Sequence, residues 1–404
     1  MSVLLTSTTE TRADGLTLGG VEVTPHPHFD VAAVYNDNIT IAETHPPSDL
    51  SFVVQPGLLL QVGEPPAGQT SGTNHPVSDR LWPFVGGGFV PVAIRDWVSR
   101  GRSYFLLDYT AAIERFARLD QFDTVNHEAL LDTHLKFNQF SLDAVDRFQD
   151  VTAPNIIAGA RVHEESNTAD LNGEYRLSTK TSVGLECHQQ FHHYLTAGQI
   201  DNEEYQLAGT FYYHLSKLDL FSQYNHGWVN VAQGADIDYD EGNVGVRGRL
   251  TSKITALAKV GYQNRESAGS TGGTAGMVTS VRVRAEFDPR TLASVELSRA
   301  IHPSITDLNE SYWGTRVGLL LSHTLPNEKF TFGIGAAYEK DDYDVGVVRS
   351  VRQDDHWMTT VGVSERLNKW LAVGCRYQYQ QNHSSQPGRS SVQNIVSLQA
   401  TADF

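Results

Sequence analysis

SVQNIVSLQATADF (391–404) alternates along its whole length. Val392, Val396, Leu398, Ala400, Ala402 and Phe404 fall on one side, interrupted only by Asn394, while Ser391, Gln393, Ser397, Gln399, Thr401 and Asp403 fall on the other. A period of two places successive side chains on opposite faces of a strand. Chain ends commonly fray, so a two-faced strand ending in an aromatic ring needs a partner along its edges and a medium for its apolar side.

The same alternation runs back through the chain. Leu371, Val373, Cys375, Tyr377 and Tyr379 oppose Gly374, Arg376, Gln378 and Gln380, and Trp357, Thr359, Val361 and Val363 oppose Thr360, Gly362, Ser364 and Arg366. Phe330 to Tyr338, Thr315 to Leu321, Val281 to Phe287, Ile254 to Tyr262, Tyr205 to Leu215, Val183 to Phe191, Phe105 to Ile113 and Phe52 to Val62 repeat it. The count is about eighteen strands, many of about 12–15 residues, against ~5–6 in soluble sheets and the ~9–11 tilted residues that cross a bilayer. Tight turns at 178–182, 215–219, 250–254, 288–291, 325–329 and 366–370 take turns with longer polar connections such as AQGADIDYDEG (232–242), ESAGSTGGTA (266–275) and EKDDYDVGVVRSVRQDD (339–355).

Within hydrocarbon every backbone N–H and C=O must be paired, and only a closed sheet achieves this with strands. The pattern therefore predicts an all-β, transmembrane, antiparallel up-and-down β-barrel of about 18 strands. Alternation fades across 140–170, which leaves 16 strands as the nearest alternative. The apolar side then faces lipid (Val396, Leu398, Phe404) and the polar side faces the lumen (Gln399, Thr401), with the last strand pairing with the first.

Composition limits the other classes. Length alone, at 404 residues, suggests two or three soluble domains, but 40% hydrophobic residues and a mean hydropathy of −0.32 leave no segment near the ~20 apolar residues of a membrane helix. With 10% aromatic residues the chain is too apolar for disorder, and a net charge of −16 argues against nucleic-acid binding. Cys187 and Cys375 are the only cysteines, which excludes a CxxC-type metal or haem site and leaves a disulfide between them open. No Gly-x-Ser-x-Gly, His-Glu-x-x-His or phosphate-binding glycine loop occurs, so no enzyme activity, metal or cofactor is expected. The opening MSVLLTSTTETRADG lacks the form of a signal peptide, so an exported precursor is expected to carry a leader.

VYNDNITIAETHPPSDLSFVVQPGLLLQVG (34–63) resembles the opening of the putative β-barrel porin 2 family, an outer-membrane group. The matching features are Tyr35-Asn36-Asp37-Asn38, Ser48-Asp49 and Pro56-Gly57. Residues 105–137 are similar to that family's next hairpin, and 352–404 to its closing three strands. The resemblance implies a bacterial outer-membrane location, with lipid, lipopolysaccharide and the barrel-assembly machinery as partners, the last through Phe404 as a terminal aromatic assembly signal. A homo-oligomer fits the same resemblance. The domain reading is an N-terminal segment over 1–26, periplasmic and partly disordered, then a barrel over 27–404. Residues 64–101 depart from the family pattern as a periplasmic insertion. Its Trp82, Phe84, Phe89, Val90 and Trp97 are too apolar to lie free in water, which makes it a flap or a plug or docking element.

Inward residues carry function in a barrel, because lumen substitutions tune selectivity while lipid-facing ones set stability. Arg247, Arg249, Lys259, Arg282 and Arg284 fall on the inward face of three consecutive strands as a basic ladder, with Glu174, Glu186, Asp219, Glu286 and Glu296 as acidic counterparts on flanking strands. Opposed rows would orient polar solutes in a transverse field; local pairing would only brace the wall. In ECHQQFHHY (186–194), His188 and His192 lie roughly 13 Å apart on one strand face, too far for one ion, and read as polar aromatics near the interface. Tyr194, Trp228, Trp313, Trp357 and Trp370 read as aromatic girdles.

A barrel this wide leaves an aqueous lumen unless something fills it. The expected function is passive diffusion of small polar solutes through a water-filled porin. The alternatives are the outer-membrane conduit of an exopolysaccharide export system, which would want rows of inward aromatics where few are read (Tyr104, Tyr212, Phe221), and a structural, surface-organising barrel with a plugged lumen.

Overall fold

The structure, a computed structural model, describes residues 16–18, 21–63, 103–268, 274–307, 310–346 and 352–404. A three-residue strand, β1 (Leu16–Leu18), pairs only with the start of β2 (Val21–Asn36). The chain then runs through β3 (Asp49–Val62), β4 (Tyr104–Phe116), β5 (Thr124–Lys136), β6 (Phe140–Asn155), β7 (Ala160–Arg176), β8 (Thr181–Tyr194), β9 (Asn202–His214) and β10 (Leu218–Val231). It continues through β11 (Ile237–Arg249), β12 (Ile254–Ser267), β13 (Thr274–Asp288), β14 (Thr291–Pro303), β15 (Glu310–Thr324), β16 (Phe330–Gly346), β17 (Gln353–Arg366), β18 (Leu371–Ser384) and β19 (Ser391–Asp403).

Each strand from β2 to β19 pairs antiparallel with its neighbour in sequence, and β19 pairs back onto β2, so eighteen strands close a barrel. Eighteen strands ~4.8 Å apart and tilted ~40° make a ring roughly 36 Å across. The first barrel strand starts at Val21, inside the stretch expected to be a separate N-terminal segment. Apart from the long β3–β4 connection and the short β6–β7 turn, the connections sort by end: turns such as 177–180, 215–217 and 289–290 lie at the end that holds the C-terminus, and longer loops such as 37–48 and 195–201 lie at the other. The loops are shorter than the sequence suggests, because pairing continues through their acidic residues: β11 starts at Ile237 and β16 runs to Gly346. Residues 64–101, with Trp82, Phe84, Phe89 and Trp97, lie outside the described residues.

The two faces differ as closure in lipid requires. Outward positions expose large apolar side chains, among them Phe52, Leu185, Phe211, Val244, Met277, Leu319, Trp357 and Leu398. Inward positions hold buried polar ones, including Asn225, Asn243, Gln378, Gln380, Gln393 and Thr401. Cys187 and Cys375 are free and exposed on outward positions of β8 and β18, eight strands apart around the ring, so no disulfide joins them. Trp228, Trp357 and Trp370 are exposed, whereas Tyr194, also expected in a girdle, lies on the inward parity of β8 and stacks with His192 at 6.2 Å.

The seam explains the motifs at the start of the barrel. The Asp37 carboxylate accepts from the backbone N–H of Asn394 (2.6 Å) and from its side-chain amide (2.7 Å). Asn394 also accepts from the Tyr377 hydroxyl at 2.7 Å, so the one polar residue on the apolar side of β19 has its groups satisfied by neighbours. Asn38 donates to the Val392 carbonyl, and Gln393 donates to the Asn38 carbonyl. Asp49, 1% exposed, accepts from the N–H groups of Leu50, Arg118 and Leu119 and from the Arg118 guanidinium, which anchors the 117–123 loop. At the far end, the Phe404 N–H donates to the Pro27 carbonyl (3.0 Å) and its ring stacks on Trp370.

Candidate functional site

The site is the inner wall, and strand register fixes where each charge stands on it. Arg247 on β11 is level with Leu257 on β12, and Leu257 with Arg282 on β13; Arg249, Thr255 and Arg284 form the next row. The two rows stack arginines two strands, or ~10 Å, apart. Lys259 stands on a third row, level with Gly245 and Ser280. All five bases therefore occupy one patch of wall.

Most of these bases are held by carboxylates. Arg282 meets Glu296, its cross-strand neighbour on β14, at 3.3 Å, and Arg284 meets Glu286 two residues along its own strand at 3.0 Å. Lys259 lies 3.8 Å from Glu241. These side chains remain partly exposed, at 29% for Arg282, 27% for Arg284 and 31% for Lys259. They face water inside the barrel.

Arg247 behaves differently. Its Nη2 reaches Glu174 on β7 at 2.8 Å, its Nε reaches Asp219 on β10 at 3.0 Å, and its guanidinium lies 3.8 Å over the Tyr212 ring. Ser182 donates to Glu174 (2.7 Å), and His214 links Ser182 (3.0 Å) to Asp219 (2.7 Å). Glu186 accepts from Thr210, Tyr212 and Gln223 beside this knot. Arg247 and Glu174 are almost fully buried, so this part of the ladder ties β7, β8, β9, β10 and β11 together and presents little charge to a solute.

The larger feature is an acidic wall that the pattern did not reveal. Asp108 on β4, Glu128 on β5, Asp143 on β6 and Asp170 on β7 all point inward, and the side chains of Asp143 and Asp170 are 39% and 53% exposed. Asp143 pairs with His134 (2.7 Å), Asp170 with His188 (2.8 Å) and Asp108 with His28 (3.0 Å), while Glu128 faces Arg147 at 3.4 Å. His28 gets to Asp108 by crossing β3 above Gly57. A Cβ there would lie 2.0 Å from the imidazole, so only glycine leaves the passage open. That is the local use of the Pro56-Gly57 pair.

Asp108 was legible in the alternation of Phe105 to Ile113, where it falls opposite Leu107 and Tyr109. Asp143 and Asp170 were not, because outward positions of β6 and β7 also carry polar groups: Asp146 bonds Asn167, and Asp150 bonds His163 (2.7 Å). In the 186–194 run, His188 and His192 each take a carboxylate on β7, Asp170 and Glu164, and so belong to the wall rather than to a membrane interface. Among the described residues no group of His, Cys, Asp and Glu is arranged to hold a metal ion.

The inward aromatics exceed those read from the pattern. Tyr239, Tyr312 and Tyr343 join Tyr104, Tyr212 and Phe221, and Tyr312 stacks on Tyr343 at 4.8 Å. These six are at most 9% exposed, so they pack within the wall and offer no open face for sugar stacking, while the inward Tyr194 is half-buried and stacked on His192.

A closed antiparallel barrel that is apolar outside and charged and wetted inside is a transmembrane channel-type barrel. Residues 236–404, from just before β11 to the C-terminus, match the model of the family described as "Putative beta-barrel porin 2". The resembling stretches at 34–63 and 105–137 lie before that match. Similar solved structures include OccAB3 of Acinetobacter baumannii, with 11% identity and a TM-score of 0.45, covering 94% of this chain and 99% of that one. The outer membrane protein opdK from Pseudomonas aeruginosa is similar at 7% identity and a TM-score of 0.43, covering 94% and 99%. OccK2 (OpdF) of the same organism, solved in complex with glucuronate, is similar at 9% identity and a TM-score of 0.44, covering 94% and 98%. No curated protein matches the chain.

Proposed function

We propose that the protein is a porin of the bacterial outer membrane, passing small polar solutes by passive diffusion through its lumen. The observation that carries this is the wetted, charged interior of a closed barrel. Asp143, Asp170, Arg147, Arg282 and Arg284 point inward and keep substantial water exposure in a ring too wide for its own side chains to fill. Short turns at one end and longer loops at the other give the orientation, with the short-turn end in the periplasm. Phe404 is the assembly signal in this reading.

The walls also suggest how solutes are sorted. β4 stands nine strands from β13, half of the ring, so the acidic wall beginning at Asp108 faces the bases Lys259, Arg282 and Arg284 across the lumen. The field between the walls orients dipolar solutes, with the partly exposed bases as its positive side. Reconstitution in planar bilayers tests both levels. The purified barrel should give steady conductance, and a sealed bilayer defeats the porin reading. Arg282→Glu/Arg284→Glu should move the reversal potential toward cation preference, and an unchanged potential defeats the field.

A further inference from the structure

At the loop end of the barrel, one hairpin reaches far around the ring. β6 and β7 are among the longest strands, at 16 and 17 residues. A run of 16 residues rises about 40 Å along the barrel axis, against an apolar band of about 25 Å, so their hairpin stands well clear of the membrane. Around the ring this hairpin lies eight strands from both the β14–β15 and the β16–β17 connections, a chord of roughly 35 Å at the girth derived above. Yet its tip touches the second directly and is tied to the first through two shared arginines. The Ile157 carbonyl accepts from Arg352, just before β17, at 3.3 Å, and from Arg389, in the β18–β19 loop, at 3.2 Å. Both guanidiniums also reach Thr306 in the β14–β15 loop, at 3.4 and 3.5 Å, and Asp307 beside it at 3.8 and 3.7 Å.

The contacts are built, not incidental. Arg352 is clamped by Asp354 through Nε (2.8 Å) and Nη2 (2.5 Å) and lies 4.1 Å over the Tyr343 ring. Its side chain is 4% exposed and that of Asp354 is fully buried. Burial opposes the Arg352 charge, but the hydrogen bonds it donates to Asp354 and the nearby Tyr343, Asp354 and Asp307 charges together hold its pKa above the ordinary arginine value. On the other flank, Arg161 of β7 reaches back to Glu114 of β4 at 2.9 Å and lies over the Phe116 ring. The loops and the adjoining end of β7 bury apolar side chains as a core does: Ile39, Ile41, Val162, Ile200 and Ile305 are all at most 9% exposed, and the Ile200 N–H donates to the Ile305 carbonyl at 2.9 Å.

We propose that the tip of the β6–β7 hairpin is a bar across the outer mouth, latched by Arg352 and Arg389 to Thr306 and Asp307, and that this latch sets the size of solute the barrel admits. The inference rests on the porin reading. It also accounts for the fading alternation of 140–170: the far ends of β6 and β7 leave the membrane, so their outward side chains no longer need to be apolar.

The test uses the full-length barrel in liposomes, with swelling by neutral sugars of increasing size, and in planar bilayers. Folding is checked by heat-modifiable migration. Arg352→Ala/Arg389→Ala should raise single-channel conductance and shift the swelling limit to larger sugars. Arg389 is the less buried of the two, so Arg389→Ala alone should give a smaller shift in the same direction where the double variant folds poorly. In a background of Cys187→Ala and Cys375→Ala, bridging Ile157→Cys to Thr306→Cys with a short bis-maleimide should restore the wild-type limit to Arg389→Ala. Folded variants with wild-type conductance and size limit overturn the latch. A silent wild type with conducting variants supports it as a full closure, and silence in every protein defeats the porin reading instead.

Discussion

Arg247 offers the sharpest test of whether an inward charge braces the barrel or serves its solutes. Replacing it with leucine removes two ion pairs, at 2.8 Å to Glu174 and 3.0 Å to Asp219, and a cation–π contact at 3.8 Å. Glu174 then stays 8% exposed with its strongest partner gone, while Ser182 still donates to it. Breaking a buried pair by deleting one partner costs about 3–5 kcal/mol, mostly because the remaining charge is left uncompensated. The side chain is 4% exposed, so solvent screening takes little from that figure. Arg247→Leu should therefore lower barrel stability by about 3–5 kcal/mol, read as a reduced urea midpoint in vesicles by tryptophan fluorescence. Adding Glu174→Leu should recover a good part of the loss, because an apolar pair of similar volume can replace a buried ion pair at little cost. Ion selectivity should hardly change, since neither charge faces the water. A loss below about 1 kcal/mol, with no recovery in the double variant, refutes the bracing role, because it would place Arg247 among the ordinary solvated pairs.

Other outcomes follow from the same geometry. Asp143→Asn/Asp170→Asn removes two exposed charges from the acidic wall and should shift the reversal potential toward anions, opposite in sign to the change at Arg282 and Arg284. Leu398 is 60% exposed on the outward side of β19, so Leu398→Arg should cost about 2–4 kcal/mol in vesicle unfolding, while Gln399→Arg on the inward side should cost less. Gly57→Ala should expel the His28 ring from its passage and break the bond to Asp108, read as a lowered urea midpoint; a wild-type midpoint would mean the ring crosses elsewhere. Deleting Phe404 removes the ring stacked on Trp370 and should reduce the folded barrel recovered in membranes, with full recovery counting against an assembly role.

What the chain disclosed before its structure depended on which side of the wall a residue faces. Lipid demands apolar side chains outward, so wherever a strand lies in hydrocarbon the alternation is strict, and strands such as β13 and β19 could be read residue by residue. The inward face carries no such demand. Its polar residues could be placed on the wall, but their partners could not, because pairing follows register and girth rather than spacing in sequence. Arg282 and Glu296 are direct cross-strand neighbours, whereas Arg247 reaches Glu174 across three intervening strands, and nothing local separates the two cases. The same reasoning explains why 140–170 was opaque. A hairpin that leaves the membrane and bends over the mouth loses its lipid-facing constraint, and with it the period that made strands such as β13 and β19 legible. The faded pattern therefore marks where the barrel stops answering to lipid and begins to shape its own opening.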